Sequence, residues 1–266
     1  MKQPIGIFDS GVGGLTVYKA IKKAFPAENI IYFGDTARVP YGPKSENTII
    51  EYSIQNARFL LQKDIKILVV ACNTSSAVAL QELEKLTDIP IIGVIKPGAK
   101  LAADSTHNNH IGVIGTEGTI RSEAYNKAIK TILPEAEIFS CACPLFVPLV
   151  EEGWLNHPVS RMVAEEYLNF FKDKEIDTLV LGCTHYPLLK SLIDEIMEHK
   201  VKLIDSADAI ALHLKTLLPV ESSTEPVMDR FYVSDNEAKF SQIAEYILGV
   251  QPTPIKRVRL YESWFE

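Results

Sequence analysis

The sequence predicts an α/β fold: two pseudo-symmetric domains with mainly parallel sheets flanked by helices, and an active site at the domain interface. Three observations predict it. Short apolar runs alternate with helix-length segments almost throughout. Several runs are near-continuous Ile, Val and Leu, the composition of strands buried on both faces. One strand-and-loop pattern occurs twice. Such alternation builds right-handed βαβ units and parallel sheets.

Taken in order, the apolar runs predict strands at 4–8, 29–33, 66–71, 90–95, 110–114, 136–140, 177–182 and 201–204. Between and after them, helices are expected at 14–24, 45–63, 75–86, 97–103, 119–131, 159–172, 187–199 and 206–217. The tail carries Phe231-Tyr232-Val233-Ser234-Asp235 and a helix-like segment, 236–248. Ile5-Gly6-Ile7-Phe8-Asp9-Ser10-Gly11 aligns with Ile111-Gly112-Val113-Ile114-Gly115-Thr116-Glu117 at an offset of 106. The run ending in Cys72 aligns with the run ending in Cys183 at an offset of 111. Two features in the same order at nearly equal offsets indicate a duplicated α/β unit. The tail has no counterpart ahead of Ile5, so it is expected to return to the first domain. That domain is then 1–97 plus 207–266, with 98–206 inserted as the second.

Composition narrows the function. The 266 residues suffice for one large or two ordinary domains, and 47% of them are hydrophobic. No apolar run reaches the length of a membrane span, and the N-terminal segment lacks the long apolar stretch of a signal peptide. A net charge of −7 without a Lys/Arg block argues against nucleic acid as the main ligand. Four cysteines are too few for a disulfide scaffold, so a reduced cytoplasm is the expected setting.

Each aligned run delivers a thiol at the end of a strand, where α/β folds place ligands. A single cysteine there is usually a small buried hydrophobe. Two of them, each followed by small polar residues and a helix start, suggest a pair of acid/base groups. A helix N-terminus is expected to lower such a thiol's pKa. Cys141 and Cys143, in a Pro-rich turn before Pro144, read as structural. The Cys-x2-Cys pairs of zinc modules and the Cys-x-x-Cys of a redox site are missing, so no metal is expected.

Asp9-Ser10-Gly11-Val12-Gly13-Gly14 opens a helix, and its glycines are expected to let backbone approach a ligand. Thr16 stands where a dinucleotide fingerprint needs glycine, and no Gly-Lys-Ser/Thr of a P-loop occurs. Pro40-Tyr41-Gly42 reads as a rigid turn with an aromatic hydroxyl at its tip. Thr116 and Thr119 add hydroxyls in the second half. His185 is two residues from Cys183. Glu151-Glu152 reads equally as a solvated acidic pair.

Together these segments resemble glutamate racemases of the cofactor-independent aspartate/glutamate racemase superfamily. The matching motifs are Gly6 to Gly14, Tyr32-Phe33-Gly34-Asp35 through Pro40-Tyr41-Gly42, and Ala71-Cys72-Asn73-Thr74-Ser75-Ser76-Ala77. Further matches are Gly112 to Thr116 with Thr119, Leu181-Gly182-Cys183-Thr184-His185-Tyr186-Pro187-Leu188, and Val233-Ser234-Asp235. The resemblance spans nearly the whole chain. It implies inversion of the α-carbon of glutamate with no cofactor, Cys72 and Cys183 exchanging protons on opposite faces. It implies that Asp9 assists Cys72, that His185 assists Cys183, and that Glu151 helps on the second side. Substrate contacts are implied for Asp9, Ser10, Pro40, Tyr41, Gly42, Asn73, Thr74, Thr116, Thr119, Thr184 and His185. It further implies a role in peptidoglycan synthesis, cell-wall biogenesis and cell shape, and a homodimer. The alternatives are a sister aspartate or hydantoin racemase, and a non-enzymatic binding protein on the same scaffold.

Overall fold

A computed structural model describes residues 3–219 and 226–260. Met1 and Lys2 of the N-terminal segment, and 220–225 and 261–266 of the tail, lie outside the described residues. Ten strands are present among the described residues: β1 (Ile5–Asp9), β2 (Ile30–Gly34), β3 (Ile67–Val70), β4 (Ile91–Gly93), β5 (His110–Gly115), β6 (Glu137–Ala142), β7 (Thr178–Gly182), β8 (Lys202–Asp205), β9 (Arg230–Val233) and β10 (Ile255–Arg257). They form a six-stranded sheet, β10-β9-β2-β1-β3-β4, and a four-stranded sheet, β6-β5-β7-β8. Every pairing is parallel.

The duplication is visible in this order. The set β2-β1-β3-β4 has the same arrangement as β6-β5-β7-β8. The register repeats too. Ile5 pairs with Ile67, and Ile111 pairs with Thr178. Those partners are related by the same two offsets, 106 and 111, that the motifs show. β9 and β10 extend the first sheet beyond β2 and bring the tail back to it.

Alternation along each strand decides which core a residue enters. Ile5, Ile7, Ile67 and Val69 face one core with Leu15, Ile21, Ile210, Leu214 and Phe240. Phe8, Leu68 and Val70 face the other with Ala57, Leu60 and Leu83. The second sheet splits likewise, with Ile114, Leu179 and Leu181 on one face and Ile111, Val113 and Val180 on the other. Both faces are covered, as the Ile/Val/Leu runs imply. No helix among the described residues is long and apolar enough to cross a membrane.

The helices depart from expectation where local chemistry intervenes. The segment expected at 75–86 forms two helices, Asn73–Val78 and Leu80–Glu84, and starts early because Cys72 caps it. The segment at 119–131 splits into Glu117–Arg121 and Ala124–Ile132, with Glu123 between them at φ +55°. The segment at 187–199 opens as a 3-10 turn, Tyr186–Leu189, before helix Lys190–Ile196. The Pro-rich stretch after Cys143 includes a helix, Phe146–Glu151. Its Pro148 falls within the first turn, where no intrahelical N–H bond is lost. Cys141 belongs to β6 rather than to a turn.

Candidate active site

β3 and β7 both end at a thiol. Cys72 is buried and caps helix Asn73–Val78, accepting the Ser75 N–H at 3.5 Å. Its Sγ donates to Ser10 Oγ at 3.6 Å. Cys183 is also buried, with His185 Nδ1 at 3.8 Å from its sulfur. His185 Nε2 in turn meets Glu151 Oε1 at 2.8 Å. All four cysteines are free thiols.

One cavity is lined by Cys72 and Cys183 and by Ser10, Val39, Pro40, Tyr41, Gly42, Asn73, Thr74, Thr116, Val147, Thr184 and His185. The topology thus gathers residues expected from five separate motifs. Asp9, Thr119 and Glu151 stand one layer behind that lining. Asp9 accepts from Gly11 N at 3.0 Å and from Thr184 Oγ1 at 3.2 Å, which ties the first half to the second. Thr74, Thr116 and Thr119 form a triangle of hydroxyls, with oxygens 2.8, 3.1 and 3.3 Å apart. The cavity volume is only ≈ 10 Å³, room for about one water molecule. A cavity of ≈ 330 Å³ adjoins it, sharing Val39, Pro40, Gly42, Thr116 and Val147 and also touching Glu151, Glu152 and Lys239.

The charges differ on the two sides. Burial pushes the Cys72 thiol up to about 11, and the nearby Asp9 carboxylate adds to that. The Ser75 N–H pulls the other way but loses. The expected lowering by the helix N-terminus is therefore overturned at Cys72: loss of water outweighs a short helix's field. Burial also raises Asp9. Burial alone would make His185 neutral, but its hydrogen bonds to Cys183 and Glu151 raise it well above the ordinary histidine value. The same bond holds Glu151 below the usual carboxylate range despite its burial. Glu151 is thus a partner of His185, not half of a solvated pair. Glu152 does face solvent, paired with Lys239 at 3.0 Å.

One further expectation changes. The Tyr41 hydroxyl does not tip the turn. It is buried, donates to Asp35 and accepts from Asn56 Nδ2 at 3.0 Å. The glycine loop admits side chains of the protein itself. A Cβ on Gly13 would lie 2.6 Å from both His185 Nδ1 and Thr184 Oγ1, and one on Gly14 would lie 2.4 Å from Asp9 Cβ. Sequence reasoning missed Val39 and Val147, which line the cavity, and Tyr125 and Ser206, which bond Asn73. Tyr125 sits on a helix whose apolar pattern looks like ordinary core. Only the direct sequence neighbour Pro40 pointed towards Val39.

Similar proteins share this architecture. A family model described as Asp/Glu/hydantoin racemase matches residues 5–214. Glutamate racemase from Geobacter metallireducens is 52% identical over 260 residues, 96% of each chain. The crystal structure of glutamate racemase from Francisella tularensis, solved with D-glutamate, superposes with a TM-score of 0.91 at 42% identity. It covers 97% of this chain and 98% of its own. The Bacillus anthracis glutamate racemase structure gives 0.93 at 39% identity over 97% and 98%. Fold, paired thiols and these likenesses define an isomerase of the amino-acid racemase class. The chain belongs to the Asp/Glu/hydantoin racemase family.

Proposed function

We propose that this chain interconverts L- and D-glutamate without a cofactor, using Cys72 and Cys183 as a two-base pair. The observation that carries this reading is the single cavity lined by both thiols, each delivered by an equivalent strand end. One sulfur, as thiolate, takes the α-proton and becomes a thiol. The carbanion left behind is planar, and the opposite thiol gives its own proton to the other face. A lone base would mainly return the proton to the face it left. Hydroxyls and amide N–H groups around the cavity are suited to hold the carboxylates and spread the carbanion's charge.

Asp9 and Ser10 act on the Cys72 side, and His185 with Glu151 on the Cys183 side. Substrate contacts fall to Ser10, Pro40, the Tyr41–Gly42 backbone, Asn73, Thr74, Thr116, Thr184 and His185, with Asp9 and Thr119 supporting them. The small cavity implies that the halves part to admit substrate, through the adjoining space beside Val147. Residues 1–97 with 207–266 form one domain and 98–206 the other, a division supported by the separation of strands between two sheets. Glutamate rather than aspartate is favoured because relatives about half identical are named glutamate racemases. D-glutamate made in the cytoplasm then serves peptidoglycan synthesis and cell shape, and the enzyme works as a homodimer.

The test is circular dichroism of the purified protein with L-glutamate and L-aspartate, repeated in D2O. Glutamate should lose optical activity and aspartate should not. Deuterium should enter the α-position of the product. Racemisation that keeps the original α-hydrogen would eliminate the two-base route.

A further inference from the structure

Asn73 follows Cys72 and lines the cavity, yet both ends of its side-chain amide are held by distant residues. Tyr125, on helix Ala124–Ile132, donates its phenol proton to Asn73 Oδ1 at 2.7 Å. Asn73 Nδ2 donates to Ser206 Oγ at 3.3 Å, at the start of helix Ser206–Leu214. All three residues are buried. The Tyr125 ring also lies against Gly182, immediately before Cys183. A Cβ at Gly182 would stand 3.2 Å from the ring, and one at Gly98 would stand 3.0 Å from the phenol oxygen. One tyrosine therefore touches the end of β7 and the residue after Cys72.

An asparagine amide has two orientations, related by a flip that exchanges oxygen and nitrogen. Flipping Asn73 would deprive the buried phenol proton of its acceptor, and a buried donor left unpaired is costly. The phenol thus selects one orientation. In it, Oδ1 accepts the phenol proton, and one of the two Nδ2 protons goes to Ser206. The remaining N–H is what Asn73 can offer a ligand.

We propose that Tyr125 is a positioning and specificity-determining residue, whose hydroxyl locks Asn73 so that the cavity meets an N–H donor and selects a carboxylate oxygen. The proposal rests on the glutamate racemase reading. Without the phenol, Ser206 holds either orientation equally, since its hydroxyl can accept from Nδ2 or donate to Oδ1, and the carbonyl oxygen repels the carboxylate in part of the population.

The experiment is steady-state kinetics with L-glutamate on the full-length wild type, Tyr125→Phe, Asn73→Ala, the double variant, and Asn73→Asp. Tyr125→Phe keeps the ring, so KM should rise about tenfold while kcat changes less than threefold. On the Asn73→Ala background the same change should leave KM where it is. A Tyr125→Phe enzyme with wild-type KM, or the same tenfold rise without Asn73, would overturn the proposal. Asn73→Asp tests it without altering Tyr125. It keeps the phenol's acceptor but replaces the N–H with oxygen, so its KM should exceed that of Asn73→Ala. An Asn73→Asp KM at or below that of Asn73→Ala would also overturn it. A wild-type protein that leaves glutamate untouched would instead remove the underlying reading, and the substrate half of this proposal with it.

Discussion

Cys72 and Cys183 occupy equivalent places in a duplicated framework, but their surroundings are opposite in character. Cys72 meets a neutral hydroxyl, Ser10, and burial, with the Asp9 carboxylate nearby, pushes its thiol up to about 11. Cys183 faces His185, whose hydrogen bonds to Cys183 and Glu151 raise its pKa well above the ordinary histidine value despite burial. By the repeat's offsets, His185 corresponds to Thr74, and Thr116 to Ser10. Duplication thus supplies two similar strand ends, and a few loop residues make them different. The proposed two-base reaction calls for unlike surroundings, since its two groups must start in opposite protonation states.

The largest effect should come from removing either thiol. Cys72→Ser and Cys183→Ser should each lower racemisation about 10²–10⁴-fold, the usual contribution of a positioned acid or base. Optical rotation with each enantiomer as starting substrate checks this. A fully active Cys183→Ser enzyme would break the pairing of the two halves.

A smaller effect sharpens the charge asymmetry. Glu151→Gln removes an anion that, with Cys183, raises the His185 pKa, so that pKa should fall. His185 loses its charge as pH rises through its raised folded value. The alkaline limb of the kcat profile should therefore move to lower pH, with activity lost first on the alkaline side. An unmoved limb would separate Glu151 from the chemistry.

The smallest effect concerns stability. The folded value of Cys72, about 11, lies above the ordinary thiol value of 9.0. The folded chain then holds a proton that the unfolded chain releases. That stabilisation is complete below pH 9 and fades as pH rises towards 11. Cys72→Ser, which does not titrate there, should lose less stability over this interval, by at most about 2–3 kcal/mol. Denaturant melts at pH 8.5 and 10.5 measure the difference. Equal losses in both proteins would mean that Cys72 is better solvated than its burial implies.

Much of the fold was legible because buried parallel strands are continuous apolar runs, and eight of the ten were placed within a residue or two. β10 was not, since Ile255-Lys256-Arg257 is a short, largely exposed edge strand with no core pattern. Helix Phe146–Glu151 was hidden by Pro144 just before it and Pro148 within it, although it carries Glu151 to His185. The two thiols were legible because repetition made them stand out from ordinary buried cysteines. Tyr125 was not, because a tyrosine on the buried stripe of a helix reads as core until its hydroxyl is seen to meet Asn73.

The sequence by itself determined the parallel α/β framework, its duplication, and the placement of two cysteines at strand ends. These follow from local patterns: hydrophobic period, strand-to-loop junctions and repeated spacing. Tertiary structure alone decided which side chains distant in sequence meet. Thr184 reaching Asp9, His185 reaching Glu151 and Tyr125 reaching Asn73 each join residues more than thirty positions apart. It also decided the sign of each charge effect. Desolvation depends on everything packed around a group, so the helix start that should have acidified Cys72 yielded to burial that keeps it a thiol.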